Sequence, residues 1–267
     1  SAGGPLITAR FNLAGAGTQN AGLAFGGDEL YASLSCTEEY DGSSWSAGGP
    51  LITARFNLAG AGTQNAGLAF GGNPGGSCTE EYNGSSWSSG GALSTARYAL
   101  AGAGTQNAGL AFGGFYGYPN TVGSCTEEYD GTSWSAGGAL STARYHLAGA
   151  GTQNAGLAFG GPNLSCTEEY NGSAWSAGGA LSTARNSLAG AGEQNAGLAF
   201  GGFYSGLISC TEEYDGSAWS AGGALITARS CLAGAGTQNA GLAFGGYPGV
   251  SCTEEYNSGT SLTKSFD

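Results

Sequence analysis

The sequence predicts an all-β fold, a six-bladed β-propeller with four antiparallel strands in each blade. Three observations carry that expectation. A unit recurs six times, with arginines at Arg10, Arg55, Arg97, Arg144, Arg185 and Arg229, so the period runs 45, 42, 47, 41 and 44 residues, a length that suits one blade. Within each unit, four short apolar stretches are separated by turn residues. Glycine supplies 54 of the 267 residues, yet hydrophobic residues make up 40% and aromatics 11%, which separates the chain from a disordered glycine-rich linker.

In the third copy the four stretches are Leu100-Ala-Gly-Ala-Gly104, Ala108-Gly-Leu-Ala-Phe112, Ser124-Cys-Thr-Glu-Glu-Tyr129 and the segment around Trp134. Thr105-Gln106-Asn107 joins the first two. Asp130-Gly131 joins the last two, with glycine supplying the positive φ of a tight turn. Alternating glycine and alanine is poor material for an ordinary strand, but it suits innermost strands that crowd around an axis, where small side chains let backbones approach. The blades then run approximately over 1–49, 50–91, 92–138, 139–179, 180–223 and 224–267. Closure of the ring has two readings. Thr260–Phe266 is expected to form the outer strand of the last blade; the alternative has Ser1–Pro5 contributing to it.

Each unit carries a glycine doublet, then a tyrosine, then a tryptophan about five residues later: Gly26-Gly27 with Tyr40 and Trp45, Gly71-Gly72 with Tyr82 and Trp87, Gly113-Gly114 with Tyr129 and Trp134, Gly160-Gly161 with Tyr170 and Trp175, Gly201-Gly202 with Tyr214 and Trp219. The last copy has Gly245-Gly246 and Tyr256, with Leu262 near the expected tryptophan. This pattern resembles the kelch repeat, and the resemblance covers essentially the whole chain. Its wording, TEEYDGSSWSAGG followed by LAGAGTQNAGLAFGG, also resembles kelch-like repeats of marine bacteriophage proteins and implies a virion component. Kelch propellers include copper oxidases, whose sites need more than one histidine together with tyrosine and a cross-linked cysteine. This chain has His146 alone, so a non-enzymatic binding scaffold with no metal and no cofactor is expected.

Seven basic residues stand against nineteen acidic ones, a net charge of -12, which repels nucleic acid and anionic membrane surfaces. No apolar run approaches membrane-spanning length. Cys36, Cys78, Cys125, Cys166, Cys210 and Cys252 hold one position in the repeat. Equivalent positions in different blades lie about 15 Å apart, given strands ~4.8 Å apart, beyond the ~7 Å a disulfide spans. Free thiols are expected, which favours a reducing interior or a particle assembled in cytoplasm over secretion. Glu38-Glu39 and its five equivalents resemble paired catalytic carboxylates, but strand neighbours point to opposite faces. One of each pair is expected to meet the repeat arginine.

Because the copies are so alike, their differences carry the information. One variable place is the connection between second and third strands: 28–34, 73–76, 115–123, 162–164, 203–208 and 247–250. The other is the pair after each arginine: Phe11-Asn12, Phe56-Asn57, Tyr98-Ala99, Tyr145-His146, Asn186-Ser187 and Ser230-Cys231. In antiparallel blades both places lie at the same end of the strands. The expected ligand-binding face therefore comprises Tyr31, Tyr98, Phe115, Tyr116, Tyr118, Tyr145, His146, Asn186, Phe203, Tyr204 and Tyr247, suited to a glycan or a protein. Long connections accompany Asp41, Asp130 and Asp215, short ones Asn83, Asn171 and Asn257, a pseudo-threefold alternation that fits a trimeric partner such as a fibre. A structural or assembly part with no small ligand, and an engineered repeat without a natural ligand, are the alternatives.

Overall fold

The computed structural model describes residues 1–30, 32–117 and 120–259. Tyr31, Tyr118 and the expected outer strand Thr260–Phe266 lie outside the described residues. Those residues form no helix and six four-stranded antiparallel sheets, an arrangement consistent with a repeated β-propeller. Sheet 1 comprises Ala14–Thr18, Ala21–Phe25, Thr37–Tyr40 and Trp45–Gly48. Sheets 2 to 5 repeat it, beginning at Ala59, Ala101, Ala148 and Ala189. Sheet 6 contains Ala233–Gly236, Ala240–Phe244 and Thr253–Asn257.

Its fourth strand corrects the expected closure. Ala2–Gly3 pairs antiparallel with Thr253–Asn257, Ala2 opposite Glu254 and Gly3 opposite Thr253. The N-terminal residues thus belong to the last sheet rather than to the first. The innermost strands adjoin in cyclic order, with that of sheet 6 against that of sheet 1. Their glycines are required by that approach: a Cβ on Gly15 would lie 2.5 Å from Phe244 and 3.1 Å from the Gly234 carbonyl.

Five of the six interfaces between sheets repeat one set of contacts. Between sheets 2 and 3, Trp134 lies 4.9 Å from Tyr129 of its own sheet and 5.0 Å from Phe70 of the neighbour. Its indole donates to Thr79 Oγ1 at 2.9 Å. Gln106 donates to the Gly67 and Tyr82 carbonyls, and the Tyr129 hydroxyl donates to Glu81 at 2.6 Å. One glutamate of each pair meets the repeat arginine, as expected, and the other has a partner of its own. Glu127 pairs with the buried Arg97 at 3.1 Å, while Glu128, on the other face, accepts from Tyr170 of the next sheet. All seven cysteines are free; Arg10 donates to both the sulfur and the carbonyl of Cys36.

The tyrosine latches make stability sensitive to alkali. Burial, and then the bond to a carboxylate, pushes Tyr82, Tyr129, Tyr170, Tyr214 and Tyr256 up to about 12. An unfolded tyrosine ionises near ~10, so the folded values lie above the unfolded one. Their stabilisation is complete below about pH 10 and is lost as pH rises from there towards about 12. Urea midpoints measured across that window are expected to fall, with tyrosinate absorbance rising together with unfolding.

Candidate functional site

The two variable places are joined by backbone pairing. Phe11 bridges Asp28, Phe56 bridges Asn73, Asn186 bridges Phe203 and Ser230 bridges Tyr247. In the third repeat Arg97–Tyr98 pairs with Phe115–Tyr116, which pairs in turn with Thr121–Val122. The fourth repeat shows no such bridge, since Pro162 occupies the partner position and has no N–H to donate. The two variable places thus gather at one end of the sheets.

The second residue of each variable pair has a role the sequence reading missed. Asn12, Asn57, Ala99, His146, Ser187 and Cys231 all adopt positive φ, between 48° and 54°. Each donates its N–H to the carbonyl of its counterpart in the preceding repeat: Asn57 to Asn12, Ala99 to Asn57, His146 to Ala99, Ser187 to His146 and Cys231 to Ser187, at 2.8–2.9 Å. Asn12 closes the circle on Cys231 at 2.9 Å. This cycle of six backbone hydrogen bonds holds residues in a conformation that only glycine and, less readily, asparagine adopt at little cost. The asparagines at 12 and 57 were the available signal; alanine, histidine, serine and cysteine at the other positions obscured it.

These six residues rim a cup of about 100 Å³, floored by Leu13, Leu58, Leu100, Leu147, Leu188 and Leu232. An enclosed small-molecule site usually needs about 300 Å³ or more, so the cup is too small to enclose a ligand. The cup can accept the tip of a ligand, and the rest must lie on the surrounding surface. Burial pushes His146 down and Cys231 up, so both are neutral at pH 7. The Ser187 hydroxyl donates to Asn186 at 2.9 Å, which aims it away from a nucleophile's role with His146. Asp28, beneath Asn12, is raised by burial and lowered in part by the Asn12 amide. The six rim residues are therefore uncharged and mostly polar, with the Asp28 carboxyl close to Asn12, a surface for hydroxyl and amide groups.

On one side of the cup stands an aromatic cluster. Tyr98 lies 5.5 Å from Phe115, Phe115 lies 3.9 Å from Tyr145, and Tyr145 lies 5.3 Å from the His146 ring on the rim. Four of the expected site residues thus form one continuous surface. The others are dispersed. Phe203 and Tyr204 are exposed on the fifth repeat, and Tyr247, also exposed, meets Phe11 edge-on at 5.9 Å. Tyr116 turns back over Gly123 of its own loop. Comparison with protein-family models and with curated proteins finds no match.

A second surface feature went unread in the sequence. Ile7, Ile52 and Ile226 are 64%, 60% and 73% exposed, each three residues before a repeat arginine. Sheets 6, 1 and 2 are consecutive, so these isoleucines form an arc. The other repeats carry Ser94, Ser141 and Ser182 there. The contrast of Leu-Ile-Thr with Leu-Ser-Thr was visible, but nothing local marks an isoleucine as exposed, because apolar residues more often lie inside.

Proposed function

We propose that this chain is a six-bladed propeller of kelch type that acts as a non-enzymatic recognition scaffold, binding a glycan through the variable end of its sheets. The six sheets, the cyclic adjacency of their innermost strands and the Gly-Gly, Tyr and Trp spacing support the architecture. One observation carries the function: the Tyr98–Phe115–Tyr145–His146 cluster adjoins an uncharged, mostly polar rim. Aromatic faces accept the C–H faces of sugar rings, and neutral amide, imidazole and hydroxyl groups suit sugar hydroxyls. The opposite end of the sheets repeats the same Asx turns, with Asp41 and its equivalents bonded to their own backbone, and offers no comparable variation. The paired glutamates are engaged with arginine and tyrosine, which leaves them no acid–base task.

The isoleucine arc favours a second reading, assembly onto another protein of a particle, a phage virion included, through a partly apolar surface. The test is a glycan array with the intact chain and a form whose residues 115–123 are replaced by Pro-Asn-Leu. That replacement preserves the scaffold, because Leu164 in the fourth repeat accepts from Arg185 N as Gly123 accepts from Arg144 N. Binding by the intact chain that falls at least about tenfold in the shortened form, and in Tyr145→Ala, is expected. No glycan binding by the intact chain would leave the assembly reading.

A further inference from the structure

Five of the six interfaces between sheets carry the same indole latch. Trp45 donates to Thr253, Trp87 to Thr37, Trp134 to Thr79, Trp175 to Thr126 and Trp219 to Thr167, each at 2.9 Å. The sixth threonine of the set is Thr211, between sheets 5 and 6. It is 2% exposed, and its buried hydroxyl has no hydrogen-bond partner among the described residues. No tryptophan belongs to the apolar cluster at that interface among the described residues; Tyr256 packs there only partly buried, whereas Tyr40, Tyr82, Tyr129, Tyr170 and Tyr214 are fully buried. Phe200 leans towards the unfilled position. A Cβ on Gly241 would meet Phe200 Cε1 at 3.3 Å, where the equivalent Gly22, Gly67, Gly109 and Gly197 face a tryptophan Cη2 at 3.5 Å.

Strand register locates the missing ring. In sheet 1, Trp45 stands opposite Tyr40, Ser46 opposite Glu39, Ala47 opposite Glu38 and Gly48 opposite Thr37. In sheet 6, Ala2 stands opposite Glu254 and Gly3 opposite Thr253, and Ser1 exchanges backbone bonds of 2.7 and 2.8 Å with Glu255. The next position in that register, opposite Tyr256, is immediately ahead of Ser1.

We propose that the interface between sheets 5 and 6 is an indole-binding site, lined by Phe200, Thr211 and Tyr256. Its occupant is the side chain of a tryptophan on an extended segment that pairs with Tyr256 ahead of Ser1. Backbone pairing positions the segment, as in strand addition to a sheet edge, and the Thr211 hydroxyl accepts the indole N–H.

Two extended forms test this, one with Gly-Ser-Ser-Trp joined ahead of Ser1 and one with Gly-Ser-Ser-Ala. The tryptophan form is expected to melt at least about 5 °C higher, and Thr211→Val is expected to narrow that gap. In the unextended chain, Thr211→Val removes an unpaired buried hydroxyl and leaves the melting temperature unchanged or raised, whereas Thr79→Val, which breaks a formed latch, lowers it. Equal melting of the two extended forms, or a Thr211→Val loss as large as that of Thr79→Val, would overturn the proposal.

Discussion

Replacing Trp134 with alanine is expected to destabilise the protein by about 3–5 kcal/mol, the range for deleting a buried large aromatic side chain. The indole is 7% exposed and closes the interface between sheets 2 and 3 by stacking on Tyr129 and Phe70. Two losses add. The ring's contacts vanish and leave a cavity between sheets that cannot collapse independently of their neighbours, and Thr79 Oγ1 loses its donor. Trp134→Phe separates the two, since it restores most of the apolar surface while leaving Thr79 unpaired; it should recover more than half of the loss. Urea denaturation measures both. A Trp134→Ala midpoint equal to that of the parent would contradict the packing of sheet against sheet.

The sequence revealed the repeating parts of this fold because those signals are local. Asp130-Gly131 and Thr105-Gln106-Asn107 mark their own turns, and the Gly-Ala alternation of Ala101–Thr105 reports a crowded innermost strand within five residues. Closure was misread because it joins Ala2–Gly3 to Thr253–Asn257 across nearly the whole chain, and a two-residue strand has no periodicity to read. At the variable end, the residue types were legible and their grouping was not. Tyr98, Phe115, Tyr145 and His146 meet because a connection of nine residues folds back on Arg97–Tyr98 to make a short three-stranded sheet, whereas Phe203 in the six-residue connection stays exposed. The cycle of backbone bonds through Asn12 and its counterparts overrides what Ala99, His146, Ser187 and Cys231 would prefer locally, so no propensity argument could find it.

Replacing Glu127 with glutamine is expected to cost about 3–5 kcal/mol, as does removing one partner of a buried ion pair. Arg97 and Glu127 are 1% and 3% exposed and lie 3.1 Å apart. Burial lowers the Arg97 pKa and the Glu127 charge opposes that shift, so the neutral amide leaves a guanidinium away from water with its compensating charge removed. The pair is more than an ion contact, however. Arg97 also donates to the Gly113, Cys125 and Ala111 carbonyls, and Glu127 accepts from the backbone N–H groups of Ser94 and Thr95. Glu127 is the partner of both amides and Arg97 that of the Gly113 carbonyl, so these groups depend on the pair, while the Cys125 carbonyl also accepts from Gly113 N. An apolar double replacement, Arg97→Met with Glu127→Leu, often rescues an isolated buried pair; here it is expected to remain destabilised by at least about 2 kcal/mol, because carbonyls and amides lose their partners. Urea unfolding of the parent, both single variants and the double variant closes the cycle. Stability of the double variant equal to that of the parent would mean that the charges, and not the backbone bonding, govern this position.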